Sequence, residues 1–358
     1  MSAQRIEHLD SLRGLAALLV VFGHSLQCLN GNQHGEFIYS VTSRSAVIFF
    51  FLLSGFVLSR SLEKTNALTT NGIFCYIIRR GFRLYPMTFI ALLFGAGVAL
   101  IVVAPPYNGY ASEWLRDQII NAKTITTFSD YWSEVIMQSQ YLNPPLWTIR
   151  AEIQCSIALP ILILIENKKN SHQLILSILL AVFFIIDKCS HKSSFLVAFY
   201  LGHLINTHQD KLQYITKNKC KILLVMLIIL WTLVARNGLM DIIILSLILA
   251  LLVPTPWVTL KIFLTWLPLR FLGKISYSFY AIHMPIMFLV LMALYKSRMH
   301  LLMYKPLIYM ELLIFILTVI TTLPIAALTE LKIERPFNKV GHLLSKKFIA
   351  LSNTVLKN

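Results

Sequence analysis

The chain is a succession of long apolar runs separated by short polar, cation-rich segments. Runs of roughly span length fall at about residues 12 to 29, 46 to 62, 84 to 104, 146 to 165, 173 to 187, 194 to 206, 222 to 235, 239 to 253, 275 to 295 and 307 to 329. A helix rises about 1.5 Å per residue, so about 20 apolar residues cross a hydrocarbon core of about 30 Å. The pattern predicts an all-α integral membrane protein with about ten transmembrane helices. The runs at 173, 194, 222 and 239 are the shortest of the set.

Composition agrees with the pattern. Hydrophobic residues make up 57% of the 358 and charged residues only 13%, against about 25% charged in soluble domains. The net charge of +16 comes from 32 Lys and Arg over 16 Asp and Glu. The cations cluster between apolar runs, as anchored membrane loops do, so nucleic acid is excluded as a partner. A cytoplasmic N-terminus leaves 22 of the 32 cations inside, and the positive-inside rule then puts both termini in the cytoplasm. Residues 105 to 145 face outward on that topology. Acidic side chains (Glu113, Asp117, Asp130, Glu134) and aromatic ones (Tyr107, Tyr110, Trp114, Tyr131, Trp132, Tyr141) suit this loop to covering or lining an external site.

Several function classes drop out. The five cysteines are scattered without CxxC spacing, which supports neither a metal site nor a disulfide framework. Met1 to Asp10 is polar and the first apolar run has no cleavage pattern, so no signal peptide is expected. The expected organisation is one membrane domain over residues 1–335 and a short basic cytoplasmic tail over 336–358. No internal repeat of the kind found in many secondary transporters is visible, though ten spans with buried charges also suit a transporter or permease. A scaffold in an envelope assembly is a third reading, under which no buried ionisable group has a task.

An ionisable group inside a span is costly and therefore a functional candidate. In RGLAALLVVFGH, Arg13 and His24 are eleven residues apart, roughly three helical turns, and so share a face about 16 Å apart along the axis. Arg13 is read either as a snorkelling anchor or as a ligand contact; His24, beyond mid-span, as a packed neutral imidazole or a base. Glu152, in LWTIRAEIQCSIALP, stands about 9 Å inside the outer end of its run. By this count it shares the depth of His24, as an acid that orients a base does; pairing with Arg150 is the alternative. His283, with Ser276, Tyr277, Ser278 and Tyr280, makes a polar, aromatic helix start suited to substrate contact or to interhelical hydrogen bonding. Arg79, Arg80 and Arg83 precede the third run, and Arg80 and Arg83 face the same way one turn apart. That pair reads as a grip on a phosphorylated ligand or as a cluster on anionic membrane lipid.

Six ordered blocks resemble the membrane-bound acyltransferase-3 family, whose members O-acetylate bacterial surface sugars. They are LDSLRGLAALLVVFGH, FFFLLSGFVL, RRGFRLYP, PPLWTIRAE, FLGKISYSFYAIHMP and IERPF, running from the first span to the last. The resemblance implies about ten transmembrane helices in a bacterial inner membrane. It also implies acetyl-CoA as a donor substrate from the cytoplasm, no bound cofactor, and a glycan acceptor, free or lipid-linked, on the far side. Matched by position, Arg13 and His24 correspond to the family's essential Arg and His, Arg80 and Arg83 to its arginine pair, and Glu152 to its buried acid. On that basis His24 and Glu152 are expected to be catalytic and Arg13, Arg80 and Arg83 to bind the donor; from the polar helix start read above, Ser276, Tyr280 and His283 are expected to line the substrate. The family often reads E-E-Q where this chain has Glu152-Ile153-Gln154, so a second acid is missing. Many relatives carry a fused SGNH-type domain after the last span; none is expected here.

Overall fold

A computed structural model describes residues 7–29, 40–64, 68–103, 111–169, 175–176, 178–179, 194–215, 220–234, 238–253, 258–297 and 307–355. Within these residues helices dominate, and the one pairing of extended backbone is an isolated bridge between Leu29 and Ala111. The helices are α1 (Glu7–Gln27), α2 (Ser45–Lys64), α3 (Thr70–Ile101), α4 (Glu113–Lys123), α5 (Phe128–Val135), α6 (Trp147–Lys169) and α7 (Ser194–Thr207). They continue with α8 (Gln209–Ile215), α9 (Cys220–Val234), α10 (Gly238–Leu252), α11 (Val258–Leu264), α12 (Leu267–Lys296), α13 (Leu307–Thr329) and α14 (Arg335–Val355). Six helical stretches are long and apolar enough to cross a membrane: α1, α2, α3, α6, α12 and α13 running on into α14. Shorter apolar helices fill α7, α9 and α10. The run expected at 173–187 lies almost wholly outside the described residues.

Among the boundaries that differ from the pattern of apolar runs are the start of α3 and the tail. Helix α3 begins at Thr70, not at 84, because Thr69 caps it by accepting from the Gly72 amide and the arginine cluster continues as helix. Hydropathy alone places the start where charge gives way to apolar residues, whereas the helix begins at its cap. The basic tail expected after 335 is α14, joined to α13 by a π-helical turn over Glu330–Glu334.

Helix α12 is the core of the bundle, and nearly every residue from Ile275 to Phe288 is buried. It runs parallel to α1 at a constant register: Gly14 meets Gly273, His24 stacks on His283 and the Cys28 thiol points at the Met287 sulfur. The register rests on two glycines. A Cβ on Gly14 would lie 2.7 Å from the Gly273 nitrogen, and one on Gly273 would strike the Asp10 carbonyl. Small residues that let helix backbones touch are the usual basis of packing in lipid, where apolar burial gives no preference for a neighbour.

Proline inside a span frees the carbonyl four residues back, and hydrocarbon offers it no water. Pro285 of α12 frees the Ala281 carbonyl, and the Asn143 side chain donates to it at 2.8 Å. Pro160 of α6 frees the Ser156 carbonyl, and the Tyr76 hydroxyl donates to it at 3.1 Å. Asn143 arrives on a re-entrant segment that dips back along α3. There the Leu142 carbonyl closes on Gly95, while the buried Glu134 carboxylate holds the amides of Tyr141 and Leu142. Helix α6 consequently starts inside the membrane rather than at its surface.

Helices α2 and α7 show the same close approach: a Cβ on Gly55 would strike the Phe199 carbonyl and one on Gly202 the Leu52 carbonyl. Overpacking such a contact costs about 1–3 kcal/mol. Gly202→Val should therefore lower the thermal midpoint of the detergent-purified protein. Gly97→Ala, where an added methyl meets nothing within 4 Å, should leave it unchanged; equal midpoints for the two variants would contradict the packing.

Candidate active site

A cavity of about 760 Å³ opens between α1, α2, α3, α6, α12 and α14, within the about 300–1,000 Å³ usual for small-molecule sites. Call the membrane face at which α1 begins proximal and the other distal. The charged lining of the cavity lies toward the proximal face and is cationic. Arg13, Arg60, Arg80, Arg83, Lys274, Arg335 and Lys339 stand against Asp10, Glu152, Glu330 and Glu334. Seven cations over four carboxylates leave a positive field in a site walled by low-dielectric helices, suited to a polyanionic ligand.

The sequence blocks deliver these groups by helical periodicity. Arg80 and Arg83, one turn apart on α3, both reach the cavity, and Arg13 reaches it from α1 while its guanidinium lies 3.8 Å from Asp10. Arg80 is the most constrained. Its guanidinium contacts Glu152 at 2.6 Å and donates to the Ser156 hydroxyl at 3.1 Å, and the Ser54 hydroxyl lies 3.3 Å from the same carboxylate oxygen. Glu152 and Ser156 are successive turns of α6, and Ser54 belongs to the block whose next residue, Gly55, brings α2 against α7. An isolated charge here would be costly; as a hydrogen-bonded pair, both are held in place.

The depth of Glu152 differs from the sequence estimate. Helix α2 runs antiparallel to α1, with Ser43, just before it, donating to the Val20 carbonyl and abutting Gly23. Eleven residues further on, about 16 Å at helical rise, Ser54 meets Glu152. The carboxylate therefore stands at the level of Arg13, not of His24. The estimate assumed that α6 starts at the membrane surface, and the re-entrant segment before it removes that assumption.

His24 and His283 form a separate cluster on the distal side of the cavity. The His24 ring is sandwiched between Trp114 (centroids 5.6 Å, 6° between planes) and His283 (5.6 Å, 20°). Trp114 comes from the distal loop. Ser112 pins α4 to the end of α1 through its amide to the Cys28 carbonyl and its hydroxyl to the Gln27 carbonyl. Tyr107 and Tyr110 of the same loop lie outside the described residues. His283 is completely buried, and its Nδ1 faces the Tyr280 carbonyl at 2.6 Å. A carbonyl can only accept, so Nδ1 carries a proton and donates it there.

Ser276 and Tyr280 link the two regions, both lining the cavity from α12. Ser276 donates to the Gly273 carbonyl at 2.9 Å. The Tyr280 hydroxyl lies 2.9 Å from that of Thr148, while its ring packs 5.5 Å from His283. Neighbouring Tyr277 donates to the Leu84 carbonyl at 2.7 Å, fastening α12 to α3 beside the arginine pair. Sequence reading missed Ser54, Ser156, Arg60, Lys274, Arg335, Lys339 and His342 as site residues. Ser156 carried a signal, being one turn from Glu152 on the same face; Arg335 stood in the IERPF block without an assigned task.

The site thus has a cationic chamber near the proximal face and a histidine pair under an aromatic cover near the distal one, joined by one face of α12. A family model described as an acyltransferase domain, of the acyltransferase-3 type, matches residues 6–331. No curated protein and no solved structure matches the chain. The family match covers every helix that lines the chamber except α14, ending inside the Glu330–Glu334 turn, and five of the six ordered blocks fall within it, IERPF lying just beyond. The chain is a multi-pass membrane acyltransferase and belongs to the acyltransferase-3 family.

Proposed function

We propose that the protein takes an acetyl group from acetyl-CoA on the cytoplasmic side of the bacterial inner membrane. It transfers that group to a sugar hydroxyl of a surface polysaccharide, lipopolysaccharide O-antigen, on the other side. The proximal face is then cytoplasmic, as the positive-inside count expects. One observation carries the reading: a cationic chamber lies on the same helix face as a histidine one pantetheine length away. The donor's nucleotide is a polyanion that cannot enter hydrocarbon, whereas its pantetheine arm is roughly 15–20 Å long at ordinary bond lengths. That matches the about 16 Å from Arg13 to His24.

In this reading Arg13, Arg80 and Arg83 hold the phosphates at the cytoplasmic mouth, where planar donors grip them bidentately. Glu152 positions Arg80 for that task. The arm threads past Ser276 and Tyr280 and brings the thioester to His24. There the imidazole takes the proton of the acceptor hydroxyl as its oxygen attacks the carbonyl carbon. The carbon–sulfur bond breaks, and the CoA thiolate leaves and is protonated. In the covalent variant His24 Nε2 or Nδ1 attacks first, forming acetyl-His24, which the sugar hydroxyl then cleaves. His283, whose Nδ1 is engaged by the Tyr280 carbonyl, offers the acceptor Nε2 as a hydrogen-bond partner beside the reacting centre.

His24→Ala should lower acetylation at least about 100-fold, the scale of a lost general base, while the protein still inserts. Sugar acetylation would be followed in proteoliposomes, and near-parental activity would remove His24 from the chemistry. Arg83→Ala should raise the half-saturating acetyl-CoA concentration without moving that of the sugar; equal changes in both would refute a donor site. For the ion pair, a double-mutant cycle over Arg80→Ala and Glu152→Ala should give a coupling of about 1–3 kcal/mol in thermal stability, and additivity would show that the two do not act together. Loss of O-acetyl groups from lipopolysaccharide in cells lacking the protein identifies the acceptor, and an unchanged O-acetyl content would exclude it.

A further inference from the structure

Helix α14 presents three distinct faces. Gly341, Ser345 and Phe348 pack on the first turns of α3, against Phe82, Cys75 and Phe74. Arg335, Asn338, Lys339 and His342 face the cavity. On the third face Phe337, Val340, Leu344 and Leu351, spaced as one helical stripe, are 42%, 41%, 41% and 67% exposed. Phe74 and Ile77 of α3, 47% and 40% exposed, carry apolar surface onto the neighbouring helix. Helix α14 contains no acidic residue, and Lys346 and Lys347 are exposed upon it.

Length decides where this stripe can lie. The 23 residues of α13 already span about 34 Å, enough to cross the hydrocarbon. Helix α14, a further 21 residues that follow the Glu330–Glu334 turn, therefore lies past the core at the proximal face. Pointing into water, it would hydrate an apolar stripe continued on α3. Laid along the leaflet, the stripe enters the acyl boundary and the lysines reach phosphate head groups, the arrangement of an interfacial amphipathic helix.

We propose that α14 is such a helix, seating Phe337, Val340, Leu344 and Leu351 in the proximal leaflet and binding anionic phospholipid head groups through Lys346 and Lys347. Its opposite face walls the chamber, so the lipid surface holds that wall in position. This rests on the helix and not on the identity of the donor.

The test uses the full chain reconstituted in vesicles, with Leu344→Trp and Leu351→Trp as separate reporters, both at exposed sites. The fluorescence each adds over the parent should be quenched by brominated phosphatidylcholine and shielded from aqueous acrylamide. Brominated phosphatidylglycerol should quench more strongly at equal mole fraction. Replacing Lys346 and Lys347 by Gln should weaken that preference by at least about fivefold, the value of one lysine at an anionic surface, and leave quenching by phosphatidylcholine in place. Reporters reached by acrylamide and not by bromine would overturn the proposal. So would reporters reached by neither, with Leu344→Cys cross-linking between chains, which would make the stripe an interface between copies. Quenching by both lipids without preference for phosphatidylglycerol would overturn the head-group assignment.

Discussion

Helices α1 and α12 touch backbone to backbone at Gly14 and Gly273, and that contact fixes which side chains face each other along the rest of the pair. With the register set there, His24 meets His283 nearly three turns further on. On the chamber side, Arg13 and Ser276 reach the same space from the two helices. A side chain at either glycine would separate the helices and slide the two halves of the site past one another. The distance between cationic chamber and histidine pair is a property of this contact and of helical rise.

Hydrocarbon supplies a second constraint, because each exposed carbonyl must find a donor within the protein. The kinking prolines of α6 and α12 create two such carbonyls, and the polar residues that answer them do more than satisfy hydrogen bonds. Asn143 draws the distal loop down to Ala281, which sets the depth of α6 and so of Glu152. Tyr76 ties α3 to Ser156, beside the residues that fix Arg80. The ion pair is placed by the repair of helix breaks as much as by its own attraction.

Much of this was legible in the sequence. The long apolar runs gave the principal helices, since length and hydropathy are local properties. Arg13 stood out as a charge at the edge of an apolar run and Arg80 and Arg83 as a pair one turn apart just before another, and the structure brings all three to one cavity. The depth of Glu152 was not legible, because it depends on a re-entrant segment whose signal is a single Asn placed opposite a proline-freed carbonyl 138 residues away. Helix α14 read as a tail because its apolar positions are interleaved with lysines; its amphipathy becomes informative only beside α3. The contribution of Trp114 was half visible: an aromatic distal loop was expected to cover a site, but which ring lies on His24 is a tertiary fact.

The register between α1 and α12 also bears on biogenesis. The paired residues are 259 positions apart in the chain. At about 5–20 residues per second of synthesis, His24 is in the membrane for roughly 13–50 s before His283 exists. Asn143 likewise precedes the carbonyl it serves. Half-made protein thus contains the arginines without the helix that aligns them with the histidine. Assembly of the histidine pair waits on one of the last spans, and a chain stalled before α12 is a set of inserted helices without it.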